Sequence, residues 1–316
     1  MIKVNSGKLL ITGVAGFVGS NLASRLLAEG YEVIGIDNLA YGLRENIPSG
    51  VEFCYQDIRG KEIFPLFNGV DTVFHLAAKN CIADCQADPL QTAEINVYGT
   101  VNVFEGSRKA GVKKVIYAES SALYEGSNTF PTPESEPKPE SFYAVSKAAS
   151  KYFAEAYSRF YDLCFTGLRY FNVYGPVQDY RRTIPPVMSA FIIKLLKGEA
   201  PIIYGTGEKR RDFVYVDDVN DFHILCLTDD RTDNRVFNLG TGVNYSINEI
   251  YHNIGDLLGV HTPPIYKPDL PGEAEVTLAD IRAAREIGWS PKTDLREGLK
   301  KAITYIKGEM TKGNIP

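Results

Sequence analysis

The run Leu9-Leu-Ile-Thr-Gly13-Val-Ala-Gly16-Phe-Val-Gly19 constrains this chain more than any other segment. An apolar run of strand type passes directly into Gly-x-x-Gly-x-x-Gly and then into a helical pattern. Glycines suit a tight turn where the backbone approaches a pyrophosphate closely, and the helix N-terminus beyond it offers unpaired N–H groups and a positive dipole end. Asp37 closes the second strand-like run 18 residues after Gly19, where a carboxylate accepts hydrogen bonds from an adenosine ribose. Its charge would repel a 2′-phosphate, so NAD is favoured over NADP. Glycines alone suit a ligand-free turn equally well; strand, helix and carboxylate together select a dinucleotide.

The surrounding sequence keeps the same rhythm. Strands are predicted at Leu9–Thr12, Glu32–Asp37, Val51–Asp57, Thr72–Leu76 and Lys114–Glu119, with helices at about Phe17–Glu29 and Leu90–Ala110. Strands alternating with helices imply an α/β fold with a Rossmann-type, doubly wound parallel sheet. A Pro/Glu-rich segment, Pro131–Glu140, reads as a surface loop, followed by a helix at Ser141–Tyr161 and a strand at Phe165–Tyr170. The pattern then becomes irregular, with a helix at Val187–Lys197, short strands at Pro201–Tyr204 and Asp212–Tyr215, and helices at Asn248–Leu258 and Asp280–Ile287. The expected organisation is a dinucleotide-binding domain over residues 1–170, to which some later segments return, and a smaller C-terminal α/β lobe over 171–316.

At 316 residues the chain suits one large domain or two intimate ones. A net charge of −5 without blocks of like charge argues against nucleic-acid and anionic-membrane surfaces. No run approaches 18 apolar residues, so no membrane span is expected. Five cysteines are too few and too scattered for a disulfide scaffold, which points to a reducing, cytoplasmic compartment. Cys81 and Cys85 form a CxxxC, but four scattered histidines and no second cysteine pair leave no metal site in view.

Tyr143 and Lys147 lie four residues apart, on one face of the helix predicted at Ser141–Tyr161. Such a pair is commonly a solvated helix edge, but it also supports acid–base chemistry. Bringing a phenol from a pKa of about 10 towards neutrality takes roughly 4 kcal/mol. One cation at about 4 Å, in an effective dielectric of about 20, supplies about that much. Lys147 together with an oxidised nicotinamide would then offset the desolvation that opposes ionisation.

With the upstream glycine turn, this pair resembles the short-chain dehydrogenase/reductase superfamily. His75-Leu-Ala-Ala78, Arg169-Tyr-Phe-Asn-Val-Tyr-Gly175 and Arg211-Asp-Phe-Val-Tyr-Val-Asp217 make the chain look like its extended branch, the NAD-dependent sugar-nucleotide epimerases and dehydratases, from Leu9 to about Pro291. The resemblance implies that Tyr143 is the catalytic base, Lys147 its electrostatic partner, and Ser120 the hydroxyl that holds the reacting sugar. It implies NAD contacts at Gly13, Gly16, Phe17, Val18, Gly19, Asp37, Asn38, Asp57, Ile58, Leu76, Ala77, Ala78 and Tyr170, besides Tyr143 and Lys147. Nucleotide-sugar contacts are implied for Asn172, Val187, Phe191, Tyr204, Arg211 and Glu273, with Cys81, Ser120, Ser121 and Thr277 around the sugar. Relatives are often homodimers built on a helix pair that would include the Tyr143 helix.

The family's 4,6-dehydratases carry Asp and Glu directly after the catalytic Ser/Thr. Here Ser121 and Ala122 occupy those positions and cannot serve as the additional acid and base of an elimination. The resemblance therefore points to 4-epimerisation of a UDP-hexose. Thr277, where a bulky Tyr would exclude N-acetyl groups, leaves room for a 2-acetamido substituent, so UDP-GlcNAc/UDP-GalNAc joins UDP-Glc/UDP-Gal. Three departures stand out: Glu119 before Ser120, either an extra base or a paired carboxylate; Glu125, where Gly is common; and Leu270, where an Arg usually contacts the nucleotide. They keep open a dehydratase, decarboxylase or reductase on the same scaffold, and a non-catalytic NAD-binding regulator is the alternative from another class.

Overall fold

A computed structural model describes residues 7–135, 137–182, 184–269 and 274–315. Leu270, Gly272 and Glu273 lie outside the described residues. The chain begins β1 (Lys8–Thr12), α1 (Phe17–Ala28), β2 (Glu32–Asp37), β3 (Glu52–Tyr55), β4 (Thr72–His75). It continues through α2 (Ile82–Ala87), α3 (Pro89–Ala93), α4 (Gly99–Ala110), β5 (Lys114–Ser120), α5 (Phe142–Tyr161) and β6 (Cys164–Tyr170). Then follow β7 (Asn172–Tyr174), α6 (Val187–Leu196), β8 (Ile202–Tyr204), β9 (Arg210–Tyr215), α7 (Val216–Thr228), β10 (Arg235–Leu239), β11 (Asn244–Ser246), α8 (Ile247–Leu258), β12 (Ile265–Lys267), α9 (Arg282–Glu286) and α10 (Leu295–Thr311).

Seven strands form one sheet in the order β10-β6-β5-β4-β1-β2-β3, and each neighbouring pair is parallel. The expected doubly wound fold is therefore present. Strand interiors such as Leu10, Ile11, Val73, Phe74, Val115 and Ile116 are fully buried, as a sheet covered by helices on both faces requires. Strand order reverses between β1 and β4, and ligands of such sheets bind in the crevice outside the strand C-termini at that point. The glycine turn after β1 and Leu76-Ala77-Ala78 after β4 meet there: a Cβ on Gly13, whose φ is +77°, would lie 2.8 Å from the Ala77 nitrogen.

β7, β9 and β11 form a second sheet, and β8 pairs with β12. A separate core joins α6, α8 and α10 through Phe191, Ile192, Ile250, Ile254, Leu299 and Ile303. Between the two, β10 extends the main sheet beside β6, and Val219 and Phe222 of α7 pack in the same core as Leu22 and Leu26 of α1. Neither β10 nor α7 was predicted. The first turns of α7 carry Asp217, Asp218, Asn220 and Asp221, which hide its apolar face, and β10 opens on a charged Arg235.

Two expectations need correction. The single helix predicted at Leu90–Ala110 is interrupted by a π-turn at Glu94–Tyr98, a wider turn that is often found at functional sites. The segment Pro131–Glu140 is not a free surface loop. Thr132 is buried and bridges to Ala279, and the Glu134 carboxylate accepts the Asn238 N–H at 2.9 Å.

Candidate active site

The α1 helix opens at Gly16 with no side-chain cap and no acid in its first turn, so the leading N–H groups are left to an anion. A Cβ on Gly19 would fall 2.2 Å from the Gly13 carbonyl oxygen, so the turn closes as tightly as a phosphate-binding turn requires. Phe17 and Val18 follow Gly16 in this first turn. Asp37, at the end of β2, accepts the Ala15 and Leu39 N–H groups at 3.0 and 2.8 Å. Burial pushes its carboxyl above the usual range, against the pull of those two bonds. Asn38 donates to Asp57 at 2.8 Å, and the Arg59 guanidinium holds the Asp57 carboxyl down at about 2. Ile58 is buried beneath Gly99. A glycine cradle, an open helix terminus and a carboxylate at the second strand end together fit the diphosphate and ribose of NAD.

A cleft of about 1010 Å³ lies between the main sheet and the second lobe. It gathers Cys81, Ser120, Ser121, Tyr143, Tyr170, Asn172, Val187, Arg211 and Thr277, residues spread over almost 200 positions of sequence. Phe191 is not on its wall. Val187 starts α6 at the cleft, whereas Phe191, one turn on, is packed in the second core against Tyr251. Tyr204 sits half-buried in β8 and is likewise absent from the lining.

Ser120 ends β5, and its hydroxyl accepts the Ala122 N–H at 3.2 Å at the start of a short 3-10 turn, Ser121–Tyr124. Tyr143 stands in the first turn of α5, which Ser141 caps by accepting the Ala144 N–H at 3.1 Å. Burial raises the Tyr143 phenol above its ordinary value; the Ser120 hydroxyl and Arg182 favour ionisation, and Cys85 and Glu125 oppose it. Lys147 is buried one turn further, and its ammonium donates to the Ala118 carbonyl at 3.0 Å. Burial pulls its pKa down to about 8, with Glu119 acting in the opposite direction.

Glu119 is a paired carboxylate. Buried on β5, it accepts Arg169 Nε at 2.6 Å and the Tyr117 hydroxyl at 2.8 Å, so each oxygen is engaged. Cys81 precedes α2 on the cleft wall, while Cys85 is buried. Asn172 donates to the Asp212 carbonyl at 3.0 Å and the Thr277 hydroxyl at 3.3 Å, and Thr277 also accepts the Asp212 N–H at 3.1 Å. Arg211 reaches the Arg210 carbonyl at 3.0 Å.

Several contributors were not read from the sequence. Arg182, Phe130 and Thr132 line the cleft although their segments carry no motif. Asn96, in the π-turn, donates to the Lys79 carbonyl and to Ser146 Oγ, both at 2.9 Å, which ties the segment after β4 to the Tyr143 helix. Only the interruption of helical periodicity marks it, and composition does not reveal that.

The fold and the glycine turn thus define a dinucleotide-binding α/β protein of the Rossmann type. More narrowly, the chain belongs to the NAD dependent epimerase/dehydratase family, whose model matches residues 9–240. A putative UDP-glucose 4-epimerase of Methanocaldococcus jannaschii is 37% identical over 303 residues, covering 95% of this chain and 98% of that protein. The structure of a Thermotoga maritima UDP-glucose 4-epimerase with UDP-glucose superposes with a TM-score of 0.93 at 37% identity, covering 96% of this chain and 99% of the other. A UDP-N-acetylglucosamine 4-epimerase from Methanobrevibacter ruminantium, in complex with UDP-N-acetylmuramic acid, gives 0.92 at 32% identity, over 96% and 99% of the two chains. NAD dependence comes with the family, in line with the Asp37 reading.

Proposed function

We propose that this protein is an NAD-dependent 4-epimerase of UDP-hexoses, with UDP-GlcNAc/UDP-GalNAc and UDP-Glc/UDP-Gal as its substrate couples. The observation that carries the reading is the convergence of Ser120 and Tyr143 on one cleft, with Ser121 and Ala122 at the positions an elimination would need filled by acids. NAD held by the glycine turn and Asp37 would supply a reversible acceptor for the C4 hydride. Tyr143 takes the C4 hydroxyl proton and gives it back, and Ser120 holds that hydroxyl. Buried Lys147 would hold the nicotinamide ribose and supply positive charge to the site. The 4-keto sugar would turn over in the cleft and present its other face for the return of hydride. Net redox is zero, so the cofactor stays bound.

The segments after residue 170 contribute Asn172, Val187, Arg211 and Thr277 to the UDP-sugar side of the cleft. Arg211 serves the diphosphate, and a small Thr277 admits a 2-acetamido group. Leu90, Tyr98, Val145, Tyr152, Phe153 and Phe160 are exposed on α3, the π-turn and α5. Exposed apolar side chains on these neighbouring helices support a homodimer formed through them. Among the described residues no helix is long and apolar enough to cross a membrane, and five unbridged cysteines suit the reducing cytoplasm. Incubating the purified protein separately with the four UDP-hexoses, followed by product separation, tests the reading. Interconversion at C4 is expected, with acetamido turnover suppressed first in Thr277→Tyr; loss of water from any product would refute it.

A further inference from the structure

We propose that Glu125 is a positioning residue that clamps the loop carrying Ser120 onto the N-terminus of the helix carrying Tyr143, and so sets the distance between these two groups. The proposal rests on the Tyr143 reading above. Glu125 immediately follows the 3-10 turn Ser121–Tyr124, five residues beyond Ser120. Its carboxylate accepts the Ser141 N–H at 2.7 Å and the Glu140 N–H at 3.1 Å through one oxygen, and the Ser141 hydroxyl at 2.9 Å through the other. That hydroxyl accepts the Ala144 N–H at 3.1 Å, so the start of α5 is held by a relay from Glu125 through Ser141. A carboxylate at a helix N-terminus also complements the dipole. Tyr143 lies two residues inside this clamp. The two strands of loop are further joined where Lys138 donates to the Leu123 carbonyl at 2.7 Å and Gly126 to the Lys138 carbonyl at 3.1 Å.

The clamp brings a negative charge towards the phenol. Burial acts most strongly on Tyr143; after it come Ser120 at the end of β5 and Arg182 after β7, which favour the phenolate, and Cys85 on α2 and Glu125, which oppose it, while Lys147 lies one turn further along α5. Glu125 therefore has two separable effects: its grip speeds the reaction by fixing geometry, and its charge holds the phenol protonated to higher pH. A glycine at this position would supply neither.

The test uses the NAD-bound enzyme with UDP-glucose and UDP-GlcNAc, comparing wild type, Glu125→Gln, Glu125→Asp and Tyr143→Phe. Glu125→Gln turns an amide N–H₂ towards donors; kcat is expected to fall about tenfold with KM within about twofold. The acid limb of its pH–kcat profile moves to lower pH, because the opposing charge is gone. Glu125→Asp keeps the charge but is too short to span the gap, so kcat falls while the acid limb stays. Wild-type kcat with an unmoved acid limb in Glu125→Gln would overturn the proposal, as would a loss of activity that only follows the folded fraction. If the Gln variant does not fold, Glu125→Asp decides: lowered kcat at constant KM supports the clamp, and wild-type kcat overturns it. Full activity in Tyr143→Phe would instead remove the base itself; an inactive Phe variant beside an unaltered Gln variant would remove only the clamp.

Discussion

Replacing Glu119 by Gln tests whether the carboxylate beside Ser120 is structural or catalytic. Glu119 and Arg169 are both completely buried, and Nε lies 2.6 Å from Oε2. Arg169 also donates to the Tyr124 hydroxyl at 2.5 Å and lies over that ring, with its guanidinium carbon 5.1 Å from the centroid, but its Nη2 is buried with no hydrogen-bond partner among the described residues. Removing the carboxylate charge strands a desolvated cation. Breaking such a pair destabilises by about 3–5 kcal/mol, and we take about 3 because the Gln oxygen still accepts from Nε. A chain of 316 residues loses roughly 0.7 kcal/mol per kelvin near its midpoint. The thermal midpoint should therefore fall by about 4–5 °C, measured by circular dichroism at fixed NAD concentration. Adding Arg169→Met removes the stranded charge and should restore at least half of the loss. Turnover per folded molecule should stay within about threefold of wild type, whereas an acid–base group contributes about 10²–10⁴-fold. A midpoint within 1 °C of wild type, or a hundredfold loss of turnover, would refute this account of Glu119.

Two further outcomes follow from the geometry. Gly19→Ala places a methyl group 2.2 Å from the Gly13 carbonyl oxygen, so the purified variant should lack bound NAD by absorbance; a full complement of cofactor would contradict the turn's role. His75 and His223 are buried and neutral, each pulled down to about 3 by desolvation, with Lys147 adding to the effect at His75. The unfolded chain binds protons at both below about pH 6.5, so each histidine removes about 2 kcal/mol of stability between pH 7 and pH 5. Urea midpoints at the two pH values should show a smaller difference in His223→Gln than in wild type, and an equal difference would contradict the assignment.

The legible parts of this protein are those written locally. The glycine turn, Asp37 at its strand end and the Tyr143/Lys147 spacing each depend on fewer than about thirty consecutive residues, and backbone geometry dictates them. The cleft wall is different. Thr277 meets Asn172 and Asp212 only after the second lobe has folded, and Thr132 is drawn inward by Leu278 and Ala279 from far along the chain. The family resemblance implies a nucleotide contact at Phe191, yet α8 offers it Tyr251 and the second core takes it in. In the π-turn at Glu94–Tyr98, Asn96 bridges Lys79 and Ser146, partners that its own neighbourhood does not announce. Glu119 was readable as an oddity, but its pairing depended on Arg169 arriving on the adjacent strand.

The most direct measurement is the rate of C4 interconversion of UDP-glucose and UDP-GlcNAc by NAD-bound Tyr143→Phe, with bound cofactor quantified in the same sample. The expected result is a fall of at least a hundredfold with cofactor occupancy unchanged. Wild-type rates in that variant would contradict the assignment of Tyr143 as the proton carrier.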